Sequence, residues 1–223
     1  MIPKVCVSIL PKTVEETRRL VREAEESGAD FVEVRLDNLA GTEVFSSIAK
    51  EGNMPKIAAD RNISIAKKIR TQRLLHAAKS GFNFVDFDVD TPNLKRIVES
   101  ARRYGAACIV SYHDANGTPI IEELERILQR ELESKAAVCK LVTSARTLED
   151  NLLLLDFVRR NSQKTKLVCF AMGEHGKISR LLSPVFGAFF TFASLRHGSE
   201  TAPGQITIAE MRQAYSVIGL SCR

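Results

Sequence analysis

Tryptophan is absent from the 223-residue chain, tyrosine occurs three times, and aromatic residues make up only 6% of it. No basic stripe with interleaved aromatics appears either, so no DNA- or RNA-binding signature is matched and nucleic acid is not an expected partner. Long apolar runs are also missing. The first one, within Val5–Leu10, is too short for a signal peptide or a membrane span, and the expectation is a cytoplasmic protein with no membrane contact. The five cysteines (Cys6, Cys108, Cys139, Cys169 and Cys222) show no CxxC or other metal-ligand spacing, and four of them lie in apolar strand-like runs. They read as small core hydrophobes of a reducing compartment, with no metal site. No linker-like or low-complexity stretch divides the chain, which predicts a single domain over residues 1–223. The net charge of +5 is mild and suits an anionic small molecule.

What the sequence has in quantity is alternation. Short apolar runs at Val5–Leu10, Phe31–Leu36, Lys56–Ala59, Phe84–Val89, Ala107–Tyr112, Ala137–Val142, Lys166–Phe170 and Gly187–Phe192 predict eight strands. Helices are predicted at Thr13–Ser27, opened by a Thr-Val-Glu-Glu capping box, and at Glu43–Lys50, Ser64–Ser80, Pro92–Tyr104, Ile120–Ser134, Thr147–Asn161, Ile178–Val185 and Gln205–Gly219. Strict alternation implies a parallel sheet with helices outside it. Eight repeats in this length predict an α/β fold closed into a (β/α)8 TIM barrel. An open doubly wound sheet would carry a glycine-rich dinucleotide fingerprint after its first strand, and Leu10-Pro11-Lys12-Thr13 is not one.

Chemistry in such a barrel sits at the C-terminal ends of the strands, and the sixth strand is the most telling. Ala136–Val142 is a run of small and β-branched residues with Lys140 in its middle. An unpaired ammonium in a strand buried on both faces costs several kcal/mol, so Lys140 should have a partner, a lowered pKa, or both. At an ordinary pKa of about 10.4 only about one lysine in 2500 is a free amine at pH 7, and lowering it by roughly three units costs about 4 kcal/mol. A neutral amine there would be a nucleophile, attacking a ketone or aldehyde to form a Schiff base. A lysine at the rim, or one paired with a carboxylate, is an equally open reading of this strand alone.

Other strand ends add Ser8, then Glu33, Arg35 and Asp37 at alternating positions on one face, then Asp60-Arg61, then Asp86, Asp88 and Asp90, and then Ser111-Tyr112-His113-Asp114. The three charges of the second strand could neutralise one another as a ladder. They fit poorly under the outer helices, which favours an inward, substrate-facing role. His113 ends the strand next to that of Lys140 and is a candidate proton shuttle, whereas His76 falls within a helix and His175 and His197 fall in loops without convergent partners. Arg180 follows a glycine-bearing loop and either decorates a helix start or clamps a carboxylate bidentately. Thr201-Ala202-Pro203-Gly204-Gln205 taken alone is a turn before the last helix.

Together, Val7-Ser8, Glu33-Val34-Arg35-Leu36-Asp37, Ser111-Tyr112-His113-Asp114, Lys140 in its apolar strand, Met172-Gly173 with Gly176 and Ser179-Arg180, Val185-Phe186-Gly187 with Thr191-Phe192, and Ala202-Pro203-Gly204-Gln205 resemble the type I 3-dehydroquinate dehydratases in their short, archaeal-style form. The resemblance spans nearly the whole chain. It implies a lyase of the shikimate pathway of aromatic amino-acid biosynthesis, converting 3-dehydroquinate to 3-dehydroshikimate. Lys140 would be the Schiff-base lysine and His113 the general base and acid. Ser8, Glu33, Arg35, Arg61, Arg180, Thr201 and Gln205 would hold the substrate, Arg180 its carboxylate. No metal and no cofactor are implied, and the assembly would be a homodimer. Two positions depart from the family pattern. Ile65 falls where many members carry a glutamate that assists the histidine, which leaves Asp86, Asp88 or Asp114 as its substitute, and Thr201 stands where serine is usual. Alternatives are a class I aldolase or transaldolase, whose glycine-rich phosphate nest at strands 7 and 8 is not found here, and a non-catalytic barrel that binds an acid metabolite.

Overall fold

A computed structural model describes residues 2–220, which leaves Cys222 outside the described residues. Strands and helices alternate throughout: β1 (Val5–Ile9), α1 (Val14–Glu26), β2 (Phe31–Arg35), α2 (Phe45–Ala49), β3 (Lys56–Ala59), α3 (Lys67–Lys79), β4 (Phe84–Asp88), α4 (Leu94–Arg103), β5 (Ala107–His113), α5 (Ile121–Glu133), β6 (Val138–Ser144), α6 (Glu149–Asn161), β7 (Leu167–Met172), α7 (Lys177–Leu182), β8 (Thr191–Ala193) and α8 (Ile208–Val217). The sheet order is β7-β6-β5-β4-β3-β2-β1-β8, every pairing is parallel, and β8 returns to β1 with Val5 opposite Thr191. Between β7 and β8 the Phe189 N–H donates to the Leu167 carbonyl at 2.7 Å. This is the expected (β/α)8 TIM barrel.

The register explains where polar groups collect. Parallel partners point the same way and inward positions recur every second residue, so each strand can be followed from bottom to top. Inward residues begin apolar (Cys6, Phe31, Ile57, Ile109, Val138 and Val168 share one buried cluster). Two residues further on they turn polar on five strands: Ser8 follows Cys6, Glu33 and Arg35 follow Phe31, Asp86 and Asp88 follow Phe84, Ser111 and His113 follow Ile109, and Lys140 follows Val138. The barrel therefore has an aromatic floor, where Phe31, Phe189 and Phe190 stack with centroids 4.9–5.7 Å apart, and a charged upper layer. Outward positions such as Val7, Val32 and Val110 pack under the helices in a second cluster.

Element ends differ from the sequence expectation by at most two residues except at β8, α3, α7 and α8, and three of the differences have a visible local cause. Strand β8 starts at Thr191 rather than Gly187, because Gly187 adopts φ +110° and the following phenylalanines turn into the floor. Helix α8 starts at Ile208 rather than Gln205, with Thr207 and Glu210 forming a complete capping box. At α1 only half of the predicted box forms: Thr13 accepts the Glu16 N–H, while the Glu16 carboxylate takes the N–H of Lys12 at 2.7 Å. The four described cysteines are buried and free, and no described helix is long and apolar enough to cross a membrane.

Candidate active site

The upper layer encloses a cavity of about 620 Å³ lined by residues of β2, β5, β6 and β7, of α7, and of the loops after β3 and β8. Lys140 stands at its floor, 4% exposed. Its amine has the partner that burial demanded, and in fact two: Asp86 Oδ2 at 2.9 Å and Glu33 Oε2 at 3.4 Å. It also lies 4.3 Å from the centroid of Phe192. Of the two carboxylates, Glu33 lines the cavity, whereas Asp86 lies beneath it with its side chain fully covered.

Asp86 is held from three sides. Arg61 approaches its Oδ1 at 2.9 Å, the Ser111 hydroxyl donates to the same oxygen at 2.6 Å, and Lys140 takes the other. Burial alone would raise its pKa, but the Arg61 and Lys140 cations overcome that effect and hold the carboxyl well below the usual range. Arg61 also pairs with Asp88 and donates to Ser111 at 2.8 Å. Burial opposes its charge, and Asp86 and Asp88 more than offset it, so the guanidinium is held above its ordinary pKa.

His113 faces the cavity from the end of β5, one strand from Lys140 and two residues above Lys140's register partner Ser111. Its imidazole is open to water in the cavity yet surrounded by protein. That confinement, reinforced by the charges of Arg61 and Lys140, pushes its pKa well below the ordinary value, against the pull of Asp86. No side-chain hydrogen bond reaches the imidazole among the described residues. Each acid considered for the place of the missing glutamate is engaged elsewhere: Asp86 as above, Asp88 with Arg61 and Arg70, and Asp114 with the Tyr112 hydroxyl and the Asn116 N–H.

Arg35 lines the cavity but is chelated by Asp37, with Nε and Nη2 at 2.9 and 2.8 Å from its two oxygens. The second strand thus divides, with Glu33 facing Lys140 and Arg35–Asp37 forming the neutral pair that a charge ladder would make. Ser8 stands behind the wall, donating to Glu33 at 2.7 Å and accepting from the Thr201 hydroxyl at 2.8 Å. Gln205 secures the same loop, its Oε1 taking the Thr201 N–H at 2.7 Å. His76 lies edge-on to Phe45 and His197 meets Glu210, both outside the cavity.

Arg180 is the exception among these cations. It is 1% exposed, lies 4.4 Å from the Phe170 centroid, donates one bond of 3.2 Å to the Pro203 carbonyl, and leaves Nε without a partner. Burial pushes its pKa down to about 9. A buried, unpaired guanidinium on a cavity wall is a site for an anion.

Sequence reasoning assigned no fixed role to Asp86, gave Ser111 none at all, and missed Phe170 and the Phe192 ring under the amine. Asp86 and Asp88 did carry a signal, since they alternate on β4 as Glu33 and Arg35 do on β2. Phe170 carried none, being an aromatic residue in a core strand, and Phe192 entered only within the Thr191-Phe192 stretch of the resemblance, with no role attached.

The family model described as Type I 3-dehydroquinase matches residues 5–221. A 3-dehydroquinate dehydratase of Dehalococcoides mccartyi is 34% identical over 96% of this chain and 95% of its own length, and one of Methanococcus maripaludis is 30% identical over 96% and 100%. Among solved structures, the type I 3-dehydroquinate dehydratase of Clostridium difficile superposes with a TM-score of 0.88 at 24% identity, covering 97% of this chain and 92% of that one. The 3-dehydroquinate dehydratase of Aquifex aeolicus gives 0.79 at 25%, covering 97% and 99%. A match over almost every described residue, on a barrel whose single lysine of β6 is buried at the floor of a cavity at the C-terminal end of the strands, leaves no other placement: the chain belongs to the type I 3-dehydroquinase family.

Proposed function

We propose that the protein binds 3-dehydroquinate in this cavity and removes water from it to give 3-dehydroshikimate, through an imine on Lys140. The observation that carries this reading is a buried amine at the floor of a cavity lined also by Glu33, Arg35, Arg61 and Arg180, one strand from a histidine free of side-chain hydrogen bonds, in a chain of this family.

The unpaired Arg180 takes the substrate carboxylate. Arg35, Glu33, Thr201 and Gln205 surround its hydroxyls, and Ser8 and Arg61 act through Glu33 and Asp86. Lys140 then attacks the ketone. It does so as the free amine, after His113 has taken one proton from its ammonium; that proton and a second, both relayed by His113 from the nitrogen to the carbonyl oxygen, let water leave and a protonated imine remain. The same imidazole next removes a proton from the carbon beside the imine, and the electron pair moves toward nitrogen to give an enamine. The pair returns to expel the hydroxyl one carbon further on, which leaves as water with the proton from His113. Hydrolysis of the conjugated imine releases product and restores the lysine. A histidine with a lowered pKa is neutral at pH 7 and ready to act as this base.

The four buried free cysteines support a cytoplasmic site of action. A homodimer rests on the family resemblance alone. Borohydride reduction with 3-dehydroquinate present, followed by peptide mapping, should place a substrate adduct on Lys140. Lys140→Ala should abolish turnover, and His113→Ala should leave the adduct detectable while elimination stalls. An active Lys140→Ala protein would overturn the assignment.

A further inference from the structure

We infer that Asp86 is the counterion of the protonated imine, a catalytic residue distinct from the substrate-binding set, and this rests on the imine reading above. The geometry separates it from Glu33. Both carboxylates reach the Lys140 amine, but Asp86 is nearer, at 2.9 Å against 3.4 Å, and only Glu33 lines the cavity. An incoming substrate therefore meets Glu33 and leaves Asp86 to the nitrogen.

Charge balance gives this carboxylate its task. Ammonium plus ketone yields protonated imine plus water, so the nitrogen bears one positive charge before and after condensation. The anion at 2.9 Å that balances the first balances the second without rearrangement. A protonated imine withdraws electrons far better than a neutral one, so holding its proton aids removal of the neighbouring carbon's proton by His113. Asp86 suits this role because it cannot readily take the proton itself. Arg61 and Ser111 both engage its Oδ1, keeping it ionised, while Oδ2 is left to Lys140. The surroundings of the nitrogen are otherwise Glu33 on β2, Arg61 after β3, His113 on β5 and the buried Cys6 thiol on β1. Of these, Glu33 is the other anion, and its second oxygen already accepts from Ser8.

The test uses the imine itself. In His113→Ala protein mixed with 3-dehydroquinate, the imine should accumulate and its C=N stretch should shift on transfer to D2O, which marks an N–H proton. In His113→Ala/Asp86→Asn protein, that shift should vanish at a pH about 1–3 units lower, the effect of removing one opposite charge at contact distance. In the Asp86→Asn single variant, kcat should fall by ten-fold or more, most steeply at alkaline pH, with KM changed less than kcat. An identical D2O response in both proteins, or a loss confined to KM, would overturn the counterion role. Failure to form any Lys140 adduct in His113→Ala protein would instead overturn the imine reading on which it stands. Should Asp86→Asn not fold, a single His113→Ala protein whose imine loses its D2O shift near neutral pH would equally defeat the proposal, since a nitrogen beside an ionised carboxylate keeps its proton there.

Discussion

Replacing Arg180 by methionine should make the free protein more stable and a worse enzyme at once. The guanidinium is 1% exposed, has no carboxylate partner, and leaves Nε unbonded. A fall in pKa from the ordinary arginine value to about 9 corresponds to about 5 kcal/mol of destabilisation of the charged group. That figure is an upper bound. The Phe170 ring 4.4 Å away returns about 2 kcal/mol of it at most, and cavity water relieves more. Methionine fills a similar volume without a charge, and Pro203 keeps the Gly173 N–H as a donor at 3.2 Å. The net expectation is a gain of about 1–3 kcal/mol, or several degrees in Tm for a chain of this length. The sign holds throughout the working range: the charge is carried in both folded and unfolded states below pH 9, so the deficit is fully present at neutral pH.

The enzymatic half of the experiment runs the other way. Losing a buried charged partner for the substrate carboxylate costs about 2–5 kcal/mol of binding, so KM should rise at least about 30-fold. Denaturation curves at pH 7 and steady-state kinetics on the same preparations read both effects. Small carboxylates should raise the Tm of the parent protein more than that of Arg180→Met. A variant less stable than its parent would refute the burial argument, and an unchanged KM would refute the clamp.

Glu131 on α5 is also fully buried, with neither carboxylate oxygen bonded, and burial raises its pKa well above the ordinary value. The unfolded chain then ionises this group before the folded one does, so stability drains as pH climbs from about 4.5 toward the raised pKa. Glu131→Gln should remove that slope and stabilise the protein by about 1–3 kcal/mol at pH 8, which urea titrations at pH 5 and 8 will check. For His113, a lowered pKa keeps the base form present on the acid side of 6.5, so the acid limb of kcat/KM should fall below pH 6.5; a midpoint at or above that value contradicts the reading. Gly204 holds φ +71° with its α-carbon so close to Gly173 that an added Cβ would lie 2.1 Å from the Gly173 carbonyl oxygen. Gly204→Ala should therefore displace the loop carrying Thr201 and Gln205, raising KM, and an unaltered KM would show that the loop does not close the site.

The architecture was legible because parallel strands buried on both faces write themselves as short continuous apolar runs, and eight of them stand at even spacing. The element least well placed, β8, has three residues, and nothing in Gly187-Ala188-Phe189-Phe190 distinguishes a strand from a floor segment of the same composition. At the site, Lys140 could be found because a cation breaks an apolar run. Its partners could not be assigned from sequence, because which acid reaches it depends on the register of β2 and β4 across the barrel, 107 and 54 residues away in the chain. The arginines show the same limit. Arg35, Arg61 and Arg180 all stand at strand ends or after loops, yet one is chelated, one braces Asp86, and one has no acidic partner among the described residues.

On the proposed binding mode, that difference in pairing is what would orient the substrate. Arg35 is balanced by Asp37, Arg61 by Asp86 and Asp88, and Lys140 by Asp86 and Glu33, so among the cavity's described lysine and arginine side chains only Arg180 presents uncompensated charge. A carboxylate entering a confined, poorly screened space goes where the field is not already cancelled. Had it bound at Lys140 instead, it would have to displace carboxylates at 2.9 and 3.4 Å and leave Arg180 unpaired, which is worse on both counts. With the acid drawn to α7, the ketone is the group left to face the floor of the barrel. The amine's two counterions thus do more than accommodate a buried lysine: by silencing its charge toward anions, they reserve it for a carbonyl.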